Sequence, residues 1–475
     1  MTDFAAIDLG AESGRVVRGS FDGERMALEL AHRFQNRPVR LPDGLHWDLL
    51  TLFSEAVDGL RGLDVQGVGV DTWGVDYALL DGEGGVLGLP FHYRDSRTEG
   101  MIARADERVP PAERYAVTGI QTMPINTIFQ LLADSKAAAA ERIALVPDLL
   151  AYWLCGELAN EATNASTTGL LDARSGTWAR GLIERLGLPA APFACDPVEA
   201  GTTLGPVHSH HGVDAPVHAV ASHDTASAFV AAPIRSANAA ILSSGTWSLL
   251  GLELDAPVLT DRASDFNLTN ERGVDGTIRL LRNVMGLWLV QECRRHWGAS
   301  YDELHDVAAR ARADVPLFDP DDDRFLRPGD MPALIAAACT EAGQPAPEGR
   351  GEIVRSALTS LACKYRLVLE RLELVTGRAV DVVHVIGGGA RNDLLCRLTA
   401  DLLGRPVLAG PVEATALGNV LVQARTIGEL GGLAELRAVA AASADPVVHE
   451  PTGRAGGVYD RFLAVAGENV EETVP

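Results

Sequence analysis

The sequence predicts an α/β protein made of two duplicated halves. Two observations carry this reading. Apolar, strand-like runs end at a carboxylate or a glycine turn and lead into helical runs, most clearly at Pro216–Val230 and Val382–Leu403. In addition, residues 4–17 are echoed half a chain later by residues 237–250, each an apolar strand, a turn of small and hydroxyl residues, and a second strand. Such a hairpin can wrap a phosphate with its backbone N–H groups. Two of them facing each other would hold one nucleotide in a cleft between lobes; coincidence between two glycine hairpins is the plainer alternative. The halves are drawn at 1–234 and 238–445, with a tail at 446–475.

In the first half, a short strand ends at Asp8, a turn with Gly10 and Gly14 follows, and Arg15-Val16-Val17 begins the second strand. Asp8 stands at the turn mouth, where one carboxylate can hold a hydrated magnesium. Ser13 and Arg15 are placed to touch phosphoryl oxygens. A hairpin with glycine for geometry alone remains open. Residues 46–60 read as a helix. Val65–Asp71 reads as a buried strand, and Thr72–Gly82 as a polar turn and another strand. Trp73, Gly74, Asp71 and Asp76 at one strand end suit a sugar, whose C–H groups pack on an aromatic face and whose hydroxyls donate to carboxylates. The alternative makes Trp73 core and Asp71 a strand end. Residues 91–98 form a dense polar loop, and 111–195 reads as mostly helical, with the polar stretch Thr163–Thr168 taking no role. The half closes on Ser222-His223-Asp224-Thr225, between the strand-like Pro216–Ala221 and the helical Ala226–Val230. Ligands of open α/β sheets bind beyond the carboxyl ends of strands, and a helix dipole favours an ionised Asp there. Asp224 reads either as a general base or as an N-cap.

In the second half, 231–238 is a linker, and Ala239–Leu250 carries the second hairpin with Thr246 in its turn. A strand breaks at Asn283 and a helix follows; capping accounts for Asn283, and a solvent-facing position for Gln291. Residues 352–375 form a long amphipathic helix. Val382–Ile386 meets Gly387-Gly388-Gly389, and a helix runs from Leu394 to Leu403. Strand, glycine turn and helix let the backbone approach a nucleotide closely. The dinucleotide fingerprint is the rival, and its spacing fails because Asn392 stands where the third glycine belongs. Glu413–Val420 opens one more helix.

Composition narrows the function classes. The chain has 475 residues, 47% hydrophobic and 22% charged, long enough for two to four domains. A net charge of -23 with no basic patch argues against nucleic acid. No 18-residue apolar run lacks charges, and no basic segment precedes an apolar one at the N-terminus, so neither a membrane span nor a secretory signal is expected. Six scattered Cys without a C-x-x-C pair argue for reduced thiols in a cytoplasm. The only lysines are Lys136 and Lys364, and neither follows a glycine loop, so a Gly-Lys-Ser/Thr phosphate loop is excluded.

Taken together, these stretches resemble the FGGY carbohydrate kinases over nearly the whole chain. The marks are Asp8–Arg15, His32-Arg33-Phe34 with Asn36, His46-Trp47, Asp71–Asp76, Ser222–Ser227, Ser243–Ser248, Asn283–Trp288, and Gly387–Gly389 with Arg391-Asn392. The resemblance implies two ribonuclease-H-like lobes of the actin-like ATPase kind, with a catalytic cleft between them. It implies ATP-dependent phosphorylation of L-rhamnulose at its terminal hydroxyl, with Mg2+ near Asp8. By matching position it makes Asp224 the general base, and Gly74, His223, Thr225 and Asn283 contacts of the sugar. Ala11, Glu12, Ser13, Gly14, Arg15, Thr246, Gln291, Gly388 and Gly389 become nucleotide contacts, with the Glu12 side chain pointing away from phosphate. Competing expectations are another ketose or polyol kinase of the family (acting on fuculose, ribulose, xylulose or glycerol), an actin- or chaperone-like ATPase, a dehydrogenase, and a non-catalytic sugar sensor.

Overall fold

A run of buried residues makes Thr2–Leu9 (β1) a strand, and Ser13–Phe21 (β2) returns antiparallel to it from Leu9↔Gly14 to Thr2↔Phe21. The computed structural model describes residues 1–234, 236, 238–453 and 456–468. Parts of the linker at 231–238 (Arg235, Ala237) and of the tail at 446–475 (Arg454, Ala455 and 469–475) lie outside the described residues.

Two units divide the chain. The first comprises 1–233, 253–280 and 414–444; the second comprises 234–252, 281–413 and the described residues from Asp445. In the first, Met26–Gln35 (β3) pairs antiparallel with β2, and Val68–Thr72 (β4) pairs parallel with β1, Asp8 standing beside Asp71. Thr202–Pro206 (β5) and Pro216–Ala219 (β6) complete a six-stranded sheet of order β3-β2-β1-β4-β6-β5. The central strands are buried along most of their length, as strands covered on both faces must be. Helices Leu49–Leu60, Val146–Cys155 and Ala414–Thr426 pack on this sheet. The expected helix at 46–60 begins only at Leu49, because Asp48 caps it by accepting from the Thr51 N–H at 3.2 Å. The mostly helical reading of 111–195 missed the strand Arg142–Leu145, which pairs with Tyr77–Leu80.

The second unit repeats the pattern. Ala239–Ser244 (β7) and Trp247–Leu254 (β8) form the second hairpin; the last two residues of β8 count with the first unit. Ile278–Met285 (β9, its first three residues again counting with the first unit), Val382–Ile386 (β10), Val407–Ala409 (β11) and Val447–His449 (β12) give the neighbour order β9-β8-β7-β10-β11-β12 within a seven-stranded sheet. As in the first unit, the hairpin's first strand pairs parallel with a strand from later in the chain, β7 with β10. The helices Gly349–Thr376 and Asp393–Leu403 pack against each other. Asn392 explains the failed dinucleotide spacing, since it caps the second of these helices by accepting from the Leu395 N–H at 3.0 Å.

One contact in the first unit is closer than side chains allow. Gly418, in the Ala414–Thr426 helix, lies against the backbone of the Asp224–Val230 helix, and a Cβ there would stand 1.8 Å from the Ser227 carbonyl oxygen. Gly418→Ala is therefore expected to destabilise the protein by at least ~1–3 kcal/mol through forced separation of the two helices. An unchanged midpoint in denaturant unfolding would contradict this.

Candidate active site

Parallel pairing places two carboxylates side by side at the ends of β1 and β4. Asp8 is held by Arg15, its cross-strand partner, whose Nε and Nη2 donate to Oδ2 at 2.9 and 2.6 Å. Asp71 has no exposed surface; one oxygen accepts from Asn419 Nδ2 at 2.6 Å, and Oδ1 has no partner. Burial and the neighbouring Asp8 push the Asp71 carboxyl well above the usual carboxylate range.

Asp224 is not the N-cap that one sequence reading made it. It is the first residue of the Asp224–Val230 helix, His223 is the cap position, and the Asp224 carboxylate accepts from the Thr225 N–H at 2.5 Å and the Thr225 hydroxyl at 3.1 Å. Its side chain keeps 31% of its exposure, so a proton can reach it. Burial raises its pKa above the ordinary Asp value; Asp8 raises it further, while His223 and the Thr225 donors act in the other direction.

His223 is buried and held on both sides. Its Nε2 lies 3.4 Å from Asp224 Oδ1, and its Nδ1 is 3.2 Å from Arg279 Nη2 and 3.4 Å from Glu271 Oε2. Arg279 is fully buried, pairs with Glu271 at 3.1 Å, and donates from Nε to the Arg272 carbonyl at 3.0 Å. An Arg N–H donating to Nδ1 leaves the ring proton on Nε2, facing Asp224. No sequence signal marked Arg279 or Glu271.

The sugar reading of Asp71–Asp76 is corrected at two residues. Both oxygens of Asp76 are committed: Oδ2 accepts from Trp47 Nε1 at 2.6 Å, Trp73 Nε1 at 3.0 Å and the Tyr93 N–H at 3.2 Å, and Oδ1 from Gln130 at 2.8 Å. Trp73 is core, with its ring 4.0 Å from that of Trp47. Asp76 thus anchors an aromatic block instead of receiving a hydroxyl. Gly74 lies against Thr167, and a Cβ would stand 2.9 Å from its Oγ1.

In the first hairpin, Asn36 ties the turn from both ends, donating from Nδ2 to the Gly10 carbonyl and from its N–H to the Glu12 carbonyl, at 2.9 and 3.0 Å. The turn N–H of Gly10 is used internally, on the Ser13 carbonyl. In the second unit, the N–H groups of Leu287 and Trp288 donate to the Gly245 and Thr246 carbonyls at 2.9 and 3.1 Å. Gly286 permits that contact, since its Cβ would stand 2.5 Å from the Trp247 carbonyl carbon. The strand does not break at Asn283 but runs to Met285, and the cap position of the next helix is Leu287, so Asn283 is not a cap. Gln291 is buried, with an unpartnered Oε1, and does not face solvent. Gly387 needs its φ of 81°, Gly389 is buried on Ser244, and Gly388 is exposed with open space around its Cβ position. Of the two glycines expected to contact nucleotide, Gly388 is the more accessible.

Gly74, His223, Asp224, Thr225, Asp8 and Ala11–Arg15 therefore belong to the first unit, and Asn283, Thr246, Gln291, Gly388 and Gly389 to the second. Among the described residues, no group of three or more His, Cys, Asp or Glu is arranged to hold a metal ion, and no helix is long and apolar enough to cross a membrane.

Two α/β units, each with a strand hairpin whose first strand pairs parallel with a later one, have the actin-like two-domain ATPase fold. The chain belongs to the FGGY family of carbohydrate kinases: the N-terminal domain of that family matches residues 49–230 and the C-terminal domain residues 240–427. It is a sugar kinase, taking a small-molecule acceptor and ATP. It is 44% identical over 450 residues to the rhamnulokinase of Bacteroides thetaiotaomicron, covering 92% of this chain and 93% of that one. It is 42% identical over 450 residues to the rhamnulokinase of Klebsiella pneumoniae, covering 91% of each. Its fold matches a ligand-bound xylulose kinase from Lactobacillus acidophilus (TM-score 0.78, 16% identity, 98% and 97% of the two chains). It also matches Plasmodium falciparum glycerol kinase with ADP (TM-score 0.77, 16% identity, 100% and 99%).

Burial raises the Asp76 carboxyl to about 6, against the pull of its Gln130 and Trp donors. Because this folded value lies above the unfolded 3.8, the ionised form burdens the folded state, and the associated stability is lost as pH rises from about 4 to about 6. Asp76→Asn removes that dependence. The stability difference, variant minus wild type, should rise over this window by on the order of 3 kcal/mol in denaturant titrations; a flat difference would contradict the assignment.

Proposed function

We propose that this chain transfers the γ-phosphoryl group of ATP to the terminal hydroxyl of L-rhamnulose, giving L-rhamnulose 1-phosphate and ADP. The observation that carries the substrate is the 44% and 42% identity to two rhamnulokinases across 92% and 91% of this chain. In this reading Asp224 accepts the proton of the hydroxyl as its oxygen forms the bond to phosphorus. The raised basicity and partial exposure of its carboxylate suit that role. A loose phosphoryl-transfer transition state asks little of the base, so alignment and charge stabilisation supply most of the acceleration. Gly74, His223, Thr225 and Asn283 contact the sugar. Ala11, Glu12, Ser13, Gly14, Arg15, Thr246, Gln291, Gly388 and Gly389 contact the nucleotide, Glu12 through its backbone. The duplicated halves 1–234 and 238–445 each contribute one hairpin to this set, and the site of action is the cytoplasm, where ATP is supplied.

Magnesium fits this chain as an ion carried with ATP, since Mg2+ is usually bound by one or two carboxylates plus phosphate oxygens. Asp8 and the unpartnered Oδ1 of Asp71 are the carboxylates that would hold it. Once bound, the ion neutralises charge on the β- and γ-phosphate oxygens.

Purified protein with Mg-ATP is expected to release ADP fastest with L-rhamnulose among L-rhamnulose, L-fuculose, L-ribulose, D-xylulose and glycerol. Preference for another acceptor would transfer the reading to that sugar, and sugar-independent turnover would favour an ATPase. Asp224→Asn should lose turnover by ~10²-fold or more while still binding ATP; turnover within about tenfold of wild type would sink the base. The rate should fall on the acid side at a pH above the ordinary Asp value, because protonated Asp224 cannot accept a proton. His223→Gln removes a neighbour that lowers the Asp224 pKa, so the acid limb should move to higher pH. A limb that stays or moves down would contradict this coupling.

A further inference from the structure

The polar stretch at 163–168 and the buried Glu161 before it take no part in the roles above, yet they reach both loops of the first-unit site. Glu161 has no exposed surface. Its Oε2 accepts from the Thr163 hydroxyl at 2.6 Å, the Asn164 N–H at 3.3 Å, the Ser222 N–H at 3.0 Å and the Ser222 hydroxyl at 2.9 Å. Its Oε1 accepts from the Thr163 N–H at 3.0 Å. Five donors on one carboxylate is a demanding arrangement, and it is aimed at Ser222, two residues before Asp224. The neighbouring residues continue it. The His223 N–H donates to Thr163 Oγ1 at 3.3 Å. Asn164 Nδ2 lies 3.3 Å from the Trp73 carbonyl and 3.4 Å from the Ser222 carbonyl, linking the sugar loop to the base loop. Thr167 Oγ1 accepts from the Val75 N–H at 3.0 Å and packs on Gly74.

We infer that Glu161 is a positioning residue for phosphoryl transfer: through Ser222, and with Thr163 and Asn164, it fixes the Ser222–Asp224 loop against the Trp73–Val75 loop. A carboxylate suits this because it accepts at every lone pair and brings no hydrogen of its own into a donor-lined site. The inference rests on Asp224 being the base. A base loop released by a fraction of an ångström would keep its chemistry and lose alignment, which is a kcat effect.

Glu161→Gln preserves volume but cannot accept with both ends. It should lower kcat with L-rhamnulose by ~10-fold to ~100-fold while leaving the KM for ATP within about twofold. Ser222→Ala should show the same pattern more weakly, and should cost little further kcat in the Glu161→Gln background, because its hydroxyl acts through the same carboxylate. Glu161→Asp, which retains the charge at shorter reach, should recover part of the loss. The result that overturns the inference is a Glu161→Gln enzyme with wild-type kcat per folded molecule and only a lowered melting temperature, or full additivity with Ser222→Ala. If Glu161→Gln does not fold, Ser222→Ala alone decides: reduced kcat at constant ATP KM supports the role, and unchanged kcat removes it. Asp224→Asn, assayed alongside, separates the two readings. Its retaining activity would remove the base itself, whereas its inactivity beside a fully active Glu161→Gln would remove only the positioning role.

Discussion

Asp71 is a carboxylate with no access to solvent, and the hydrogen bond it receives from Asn419 ties residues 348 positions apart in the chain. Much of the first unit depends on that contact. Asn419 sits on the Ala414–Thr426 helix, and one turn further on Gln423 donates to Asn419 Oδ1 at 2.7 Å and to the Ala5 carbonyl at 2.9 Å. The helix lies so close to the sheet that a Cβ on Gly69 would stand 2.4 Å from Asn419 Oδ1. An adjoining face meets the helix that begins at Asp224, through Gly418. A segment from late in the sequence thus sets the strand ends and the position of the Asp224–Val230 helix together. The unit needs residues 414–444 as much as its N-terminal strands.

The electrostatics follow from the same packing. Asp8, Asp71 and Asp224 are near enough for their charges to act on one another, and burial raises both Asp71 and Asp224. Arg15 compensates Asp8, and Asn419 only partly compensates Asp71. An acidic site of this kind repels phosphate unless cations enter with it. It also keeps Asp224 more basic than an exposed Asp. Burial and charge repulsion, both costly to folding, therefore set the basicity of Asp71 and Asp224.

The hairpins, the strand-to-helix junction at Asp224 and the glycine turn at 387–389 were legible because each is a local pattern of apolar runs broken by small residues. The family resemblance covered the rest of the outline. What the sequence did not reveal is what depends on distant partners. Asp76 resembled a sugar ligand because a carboxylate beside a Trp is chemically ambiguous until Trp47, Tyr93 and Gln130 are seen to occupy it. Asn283 looked like a cap because the strand's continuation to Met285 is fixed by sheet pairing and not by its own residues. Glu161, Arg279 and Asn419 carried no signal, since burial of a single polar residue has no sequence period; only the run of hydroxyls at 163–168 stood out, and its purpose lay in other segments.

That run explains an unusual backbone conformation. Val75 has φ 68°, a left-handed conformation that a β-branched residue rarely adopts and that costs ~1–3 kcal/mol. Such a residue persists only if its surroundings over-determine it. The Val75 N–H is taken by Thr167, and its carbonyl accepts from the Thr127 hydroxyl at 2.6 Å and from Gln130 at 3.3 Å. Gln130 also holds Asp76, which holds both Trp rings. The geometry of the Trp73–Val75 loop is thus imposed by the 127–130 and 161–167 segments, against the preference of its own residues. The segment that imposes it also grips Ser222. Strain at Val75 and order at Asp224 have a common source, so loosening one should be felt at the other.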